Sequence, residues 1–159
     1  MISRLQKLEY SLASALQRDP LLQERLRRLR TVPGVGPITA LTWALEIGDY
    51  TRLSSIKQAI SYCGLCGDEK SSAYKVIRMP ISKQRNKHIQ RVLIEAAKLA
   101  PRQAHELALI HARELERGNS NRATLAVASK VVCYILAVER RQQDFVPKLS
   151  SRPQRVLHM

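Results

Sequence analysis

Leucines set the first rhythm of this chain. Leu5, Leu8, Leu12 and Ala15 recur at alternating spacings of three and four, a narrow apolar seam like those that pair helices in coiled coils. The seam predicts a helix over 2–17 that stops at Asp19-Pro20, where Asp19 can cap and Pro20 can open the next helix. That helix carries Leu22, Leu26 and Leu29 and ends in the basic run "RLRRLR". After "TVPGVGP" an apolar helix is expected over 38–47, with Pro37 in its first turn and Gly48 at its end. A short helix over 54–62, capped by Ser54 or Ser55, comes next. From Cys63 to Pro80 the helical period is lost, and "AYKVIRM" reads as a short strand or hairpin arm within an irregular loop.

The period returns after Ser82, which can cap a helix over 83–99 with Ile89, Val92, Leu93 and Ala96 on its buried face. Pro101 is expected to start another helix, through Leu107, Ile110 and Leu115 to Arg117, closed by Gly118-Asn119. Ser120 or Asn121 should cap a long last helix with the stripe Leu125, Ala128, Val131, Val132, Ile135 and Val138. Beyond Pro147 the pattern ends, and 147–159 reads as a disordered basic tail. With aromatics at 4% and hydrophobic residues at 45%, the core must be built from Leu, Ile, Val and Ala. The predicted fold is all-α: a helical bundle with a coiled-coil-like helix at 1–28, one main domain at 29–146 and the tail.

Charge narrows the function. Of 159 residues, 27 are Lys or Arg and 13 Asp or Glu, a net +14 that favours polyanionic partners, nucleic acid before an anionic membrane. No apolar run approaches the ~20 residues that span a bilayer, and the opening residues lack the pattern of a secretory signal. A cytoplasmic protein with no membrane partner is expected. The basic residues concentrate: from Lys70 through Ile94 there is no acid, yet Lys70, Lys75, Arg78, Lys83, Arg85, Lys87 and Arg91 fall there. Lys83, Lys87 and Arg91 stack at spacings of four along one helix face.

Two constellations could carry chemistry on a phosphate. Two helices joined by Gly34-Val35-Gly36 fit a helix-hairpin-helix motif, whose glycines would let backbone N–H groups approach a DNA phosphate. A tight turn between core helices is the plain alternative, and the flanking basic "RLRRLR" favours phosphate contact. Ser71 and Ser72 sit beside the cations, but a serine hydroxyl needs a base, or cations that stabilise developing charge, before it attacks. Two serines at a polar loop tip are the plainer alternative. Cys63 and Cys66 form a C-x-x-C without a second ligand pair for zinc, so packed, reduced thiols are expected. His88, His105, His111 and His158 show no metal-ligand spacing, and the pairs Asp68-Glu69 and Glu46/Asp49 do not make a convincing metal site. No metal or cofactor is assigned to the chain.

Taken in order, "VPGVGPITALTWALEIGDYTRLSSIKQAISYCGL", the "SS" pair, "ISKQRNKHIQRVLIEAA" and "RATLAVASKVVCYILAV" resemble the C-terminal domain of an insertion-sequence transposase family. That family is IS one-ten, with IS one-one-six and IS nine-oh-two, the bridge-RNA-guided serine recombinases. The resemblance runs from about Leu29 to about Phe145. It implies a DNA-binding domain acting in transposition and recombination, joined in full-length proteins through a coiled coil to a RuvC-like domain whose acids bind a divalent metal such as Mg. Ser72 matches the family's nucleophile, and nothing here matches the acidic domain. The chain is therefore expected to be incomplete as an enzyme, with DNA and a guide RNA as partners and a second copy through the N-terminal helix. Ala73 stands where the family usually has glycine, which narrows the turn's backbone freedom; Arg85 replaces another glycine and adds charge. Expected DNA contacts are Gly34, Val35, Gly36, Lys75, Arg78, Lys83, Arg85, Lys87 and Arg91. The rival reading is a non-catalytic helix-hairpin-helix module that binds nucleic acid.

Overall fold

Asp19 and Pro20 open the first long helix as their chemistry dictates. In the computed structural model, which describes residues 18–65 and 87–147 together with Arg4, Gln6, Lys7, Tyr10, Ser11 and Ser14, the Asp19 carboxylate accepts from the N–H groups of Leu21 (3.0 Å) and Leu22 (3.5 Å). Pro20, lacking an N–H, takes the position where none is needed. This helix, α1, is Pro20–Leu29; α2 is Pro37–Ile47, followed by a 3₁₀ turn at Tyr50–Arg52 and by α3 at Ile56–Tyr62. Then come α4 (Lys87–Gln103), α5 (His105–Glu116) and α6 (Ser120–Arg141). Among the described residues every element is helical, and the six N-terminal ones are helical and exposed. The seam leucines, and the strand or hairpin arm expected within 66–80, lie outside the described residues.

Ser55 caps α3 by accepting from the Gln58 N–H at 3.0 Å, and the Gln58 side chain accepts in return from the N–H and hydroxyl of Ser54. Asp49 caps the 3₁₀ turn through the N–H and hydroxyl of Thr51, and these bonds hold its carboxyl below the usual range.

Two expected boundaries are corrected. Pro101 does not begin a helix: α4 runs through it to Gln103, and the break falls at Ala104, which is extended. The residue before proline normally avoids helical geometry, but Ala100 there is fully buried with Ala96 and Ala97, and this packing outweighs the local preference. The last helix is capped by Asn119, one position earlier than expected, accepting from the N–H groups of Asn121 and Arg122.

α6 is the hub. Ala123, Val127, Ala128, Val131, Val132, Ile135, Leu136 and Val138 are buried on it, and it packs against α1, α3, α4, α5 and the 3₁₀ turn. By length and composition α6 could cross a membrane, but these side chains are spent on the bundle core. Each such residue removed from water contributes about 1.5–3 kcal/mol for the larger types. Among the described residues one charge lies in this interior. Glu139, 2% exposed, accepts from Arg25 Nε (3.0 and 3.1 Å), from Arg25 Nη2 (2.6 Å) and from Trp43 Nε1–H (3.4 Å). It ties the end of α6 to both α1 and α2.

Candidate nucleic-acid interface

The glycine turn between α1 and α2 approaches another helix closely. Gly34 has φ +83°, and a Cβ placed on it would lie 2.4 Å from the Ala96 carbonyl oxygen and 2.8 Å from Ala100 Cβ. Its N–H donates to Gln103 Oε1 at 2.8 Å, and the Val35 N–H donates to the Val32 carbonyl at 3.1 Å. Gly34 and Val35 are buried, so both amides are bonded within the protein. Gly36 differs: it is half-buried, φ is −94°, and nothing lies within 4 Å of an added Cβ. It opens onto the exposed start of α2, where Pro37 is exposed and Ile38 is 70% exposed.

The basic run beside this turn is mostly committed internally. Arg25 is held by Glu139. Arg27 lies between two carboxylates, donating to Glu24 (3.0 and 2.7 Å) and to Asp144 (3.1 and 2.9 Å). These bonds hold the carboxyls of Glu24 and Asp144 below their usual range. Arg28 donates to Gln142 Oε1 at 2.9 Å. Only Arg30 of the four is both exposed and without an ion pair among the described residues.

A row of exposed cations lies on α4. Lys87 and Arg91 are exposed, as their spacing predicts, and the same row continues through Lys98 and Arg102, also exposed. At 100° per residue the four fall within about 60° of one another, over about 22 Å of axis. That length matches the rise of roughly six base pairs. The row carries one neighbouring acid, Glu95, which pairs with Lys98 at 3.1 Å. Lys98 and Arg102 could have been found by extending the four-residue spacing by seven and then four. Gln103 gave no signal in sequence. The row points about 170° away from Ala96 and Ala100, so the glycine turn and the α4 cations face opposite sides of that helix. Ser72, Lys75, Arg78, Lys83 and Arg85 lie outside the described residues.

Cys63 is fully buried and its thiol is pushed up to about 12 by burial; Cys66 lies outside the described residues. Both described cysteines are free, and no group of His, Cys, Asp or Glu among the described residues could hold a metal.

The described residues thus form a helical domain with an exposed cationic helix. Residues 26–111 match the family model described as "Transposase IS116/IS110/IS902 family", and the chain belongs to that family. It is 30% identical over 126 residues to the transposase for insertion sequence element IS1111A of Coxiella burnetii, covering 77% of this chain and 35% of that protein. It is also 30% identical over 135 residues to the transposase for insertion sequence element IS1328 of Yersinia enterocolitica, covering 82% of this chain and 39% of that one. The chain thus spans little more than a third of the length of these relatives. No solved structure matches it.

Proposed function

We propose that this chain is the DNA-binding C-terminal part of an insertion-sequence transposase, acting in transposition and recombination through a serine nucleophile. The observation that carries the reading is the exposed row Lys87, Arg91, Lys98 and Arg102 on α4, in a chain of transposase lineage. Such a row suits the phosphate backbone, which positions a protein without reporting sequence. The glycine turn lies on the opposite side of α4, where Gly34 sets the packing, and a phosphate contact through its open Gly36 end would be separate from the α4 row. A guide RNA, a second copy joined through the N-terminal helix, and a cytoplasmic setting complete the reading.

In this reading the Ser72 hydroxyl oxygen attacks phosphorus, the bond to the leaving deoxyribose oxygen breaks, and a phosphoserine link joins protein to DNA. The serine proton passes to a base, the leaving deoxyribose oxygen takes up a proton and departs as a hydroxyl, and neighbouring cations, with Lys75, Arg78, Lys83 and Arg85 as candidates, stabilise the charge on the phosphoryl oxygens. Catalysis also requires an acidic RuvC-like domain to bring a divalent metal such as Mg. The described residues of this chain offer no donor set that fits that ion.

The test supplies the chain with its acidic domain and cognate DNA, then maps the covalent adduct by mass spectrometry. Ser72→Ala should abolish the adduct and leave DNA binding nearly intact, and Ser71→Ala should retain it. An adduct on Ser71, or one persisting in Ser72→Ala, would show the wrong nucleophile. Binding with no adduct in the wild type would leave the non-catalytic helix-hairpin-helix module.

A further inference from the structure

α6 ends at Arg141, and the chain then folds back over the end of α1. Gln142 turns it with a left-handed backbone (φ 52°), the one non-glycine residue of positive φ among the described residues. Its side chain is held from both sides: Nε2 donates to the Glu139 carbonyl at 2.7 Å, and Oε1 accepts from Arg28 Nη2 at 2.9 Å. Two residues on, the Asp144 carboxylate accepts from Arg27 Nη1 (3.1 Å) and Nη2 (2.9 Å). The Phe145 N–H donates to Thr31 Oγ1 at 2.8 Å, and its ring packs on Tyr134 with centroids 4.7 Å apart. Residues 142–145 thus form a strap, with half-buried Phe145 as its fastener and Asp144 as its charge.

The strap is built to be displaced. Residues 142–144 are exposed, and the Arg27–Asp144 pair is about half exposed on both sides, where water screens an ion pair and leaves it weak. The left-handed Gln142 adds backbone strain that opening would relieve. Beneath the strap, Arg27 and Arg30 line one groove with Pro37 and Ile38, the exposed start of α2. The charges of Glu24, Arg27, Arg28 and Asp144 cancel, so removing Asp144 leaves one net positive charge close to exposed Arg30. A guanidinium presents the same two-pronged fork to a phosphate as to a carboxylate. We propose that the strap is autoinhibitory: Asp144 occupies the Arg27 guanidinium in place of a nucleic-acid phosphate, and opening the strap creates a phosphate contact at the end of α1, distinct from the α4 row. This proposal rests on the DNA-binding reading of the domain.

The test measures duplex affinity over a salt series for the full chain, Phe145→Ala, Asp144→Asn, and each of these two combined with Arg27→Gln. Glu116→Gln, at an exposed position on α5, controls for the loss of one acid. Phe145→Ala unfastens the strap and alters no charge, while Asp144→Asn removes the blocking carboxylate and leaves the Phe145 packing in place. One added phosphate contact steepens the slope of log affinity against log salt by about 0.9. Both single variants should show that increase, with severalfold tighter binding at moderate salt. Adding Arg27→Gln should return the slope to the wild-type value, and Glu116→Gln should leave it there. A wild-type slope in either single variant, folded by circular dichroism, overturns the proposal; should Phe145→Ala not fold, Asp144→Asn decides. A steeper slope that survives Arg27→Gln, or that Glu116→Gln reproduces, also overturns it, because net charge would then account for the effect. A wild type that binds no duplex fails the DNA-binding reading itself and takes the strap's role with it.

Discussion

Gly34→Ala should destabilise this domain severely, while Gly36→Ala, two positions away in the same motif, should hardly matter. At Gly34 the backbone is left-handed (φ +83°), which costs an L-residue about 1–2 kcal/mol. The added methyl would also stand 2.4 Å from the Ala96 carbonyl oxygen, well inside contact, and 2.8 Å from Ala100 Cβ. Both neighbours belong to one buried stretch of helix, so relief requires moving α4 away from the turn. Overpacking of that kind costs about 1–3 kcal/mol. Together the two effects amount to roughly 2–5 kcal/mol, or a fall in Tm of about 5–15 °C for a domain of this size. Gly36 has φ −94° and open space around it, so alanine there should stay within about 0.5 kcal/mol. Thermal and urea unfolding followed by circular dichroism would measure both. An unchanged Tm in Gly34→Ala, or equal losses in the two variants, would refute the claim that Gly34 is a packing residue.

Glu139→Ala should cost about 3 kcal/mol or more in urea unfolding, because it strands the Arg25 guanidinium and leaves the Trp43 N–H without its acceptor; Glu139→Gln, which keeps an acceptor, should cost less. Gln103→Ala should cost about 1–2 kcal/mol by leaving the Gly34 N–H unpaired. A third outcome concerns acid. The carboxyls of Glu24 and Asp144 are lowered on folding by Arg27, so in acid the unfolded chain binds protons more readily. Their contribution is full above the usual carboxylate range, about pH 4.5, and is lost as pH falls through their lowered values. The drop in Tm between pH 6 and pH 3 should therefore be smaller in Arg27→Gln than in the wild type.

Much of the fold could be read from the pattern of residues, because the signals were local. Asp19 with Pro20, Ser55 and Gly48 each act within one turn, and the stripe on α6 repeats often enough to fix its buried face. The misplaced boundary at Pro101 shows where local rules fail. Burial of Ala100 beneath Gly34 is a contact between positions far apart in sequence, and no local propensity encodes it. The candidate site divides the same way. The exposure of Lys87 and Arg91 follows from helical spacing. That Arg25 answers to Glu139 depends on α6 packing against α1, and that Arg27 and Arg28 answer to Asp144 and Gln142 depends on residues 142–145 folding back over α1 after α6. Composition counted those arginines as available charge, whereas the fold spends them internally.

The central claim, that α4 holds nucleic-acid phosphates, is tested most directly by the salt dependence of duplex binding in Lys87→Ala/Arg91→Ala, set against Arg113→Ala/Arg117→Ala on and just after α5. Both doubles remove the same charge from exposed positions. If Lys87 and Arg91 each neutralise one phosphate, the first double should flatten the slope of log affinity against log salt by about 1.8. The α5 double should leave the slope at the wild-type value. Equal changes in the two doubles would mean that only net charge matters, and a wild-type slope in the α4 double would contradict the assignment of α4 to the DNA backbone.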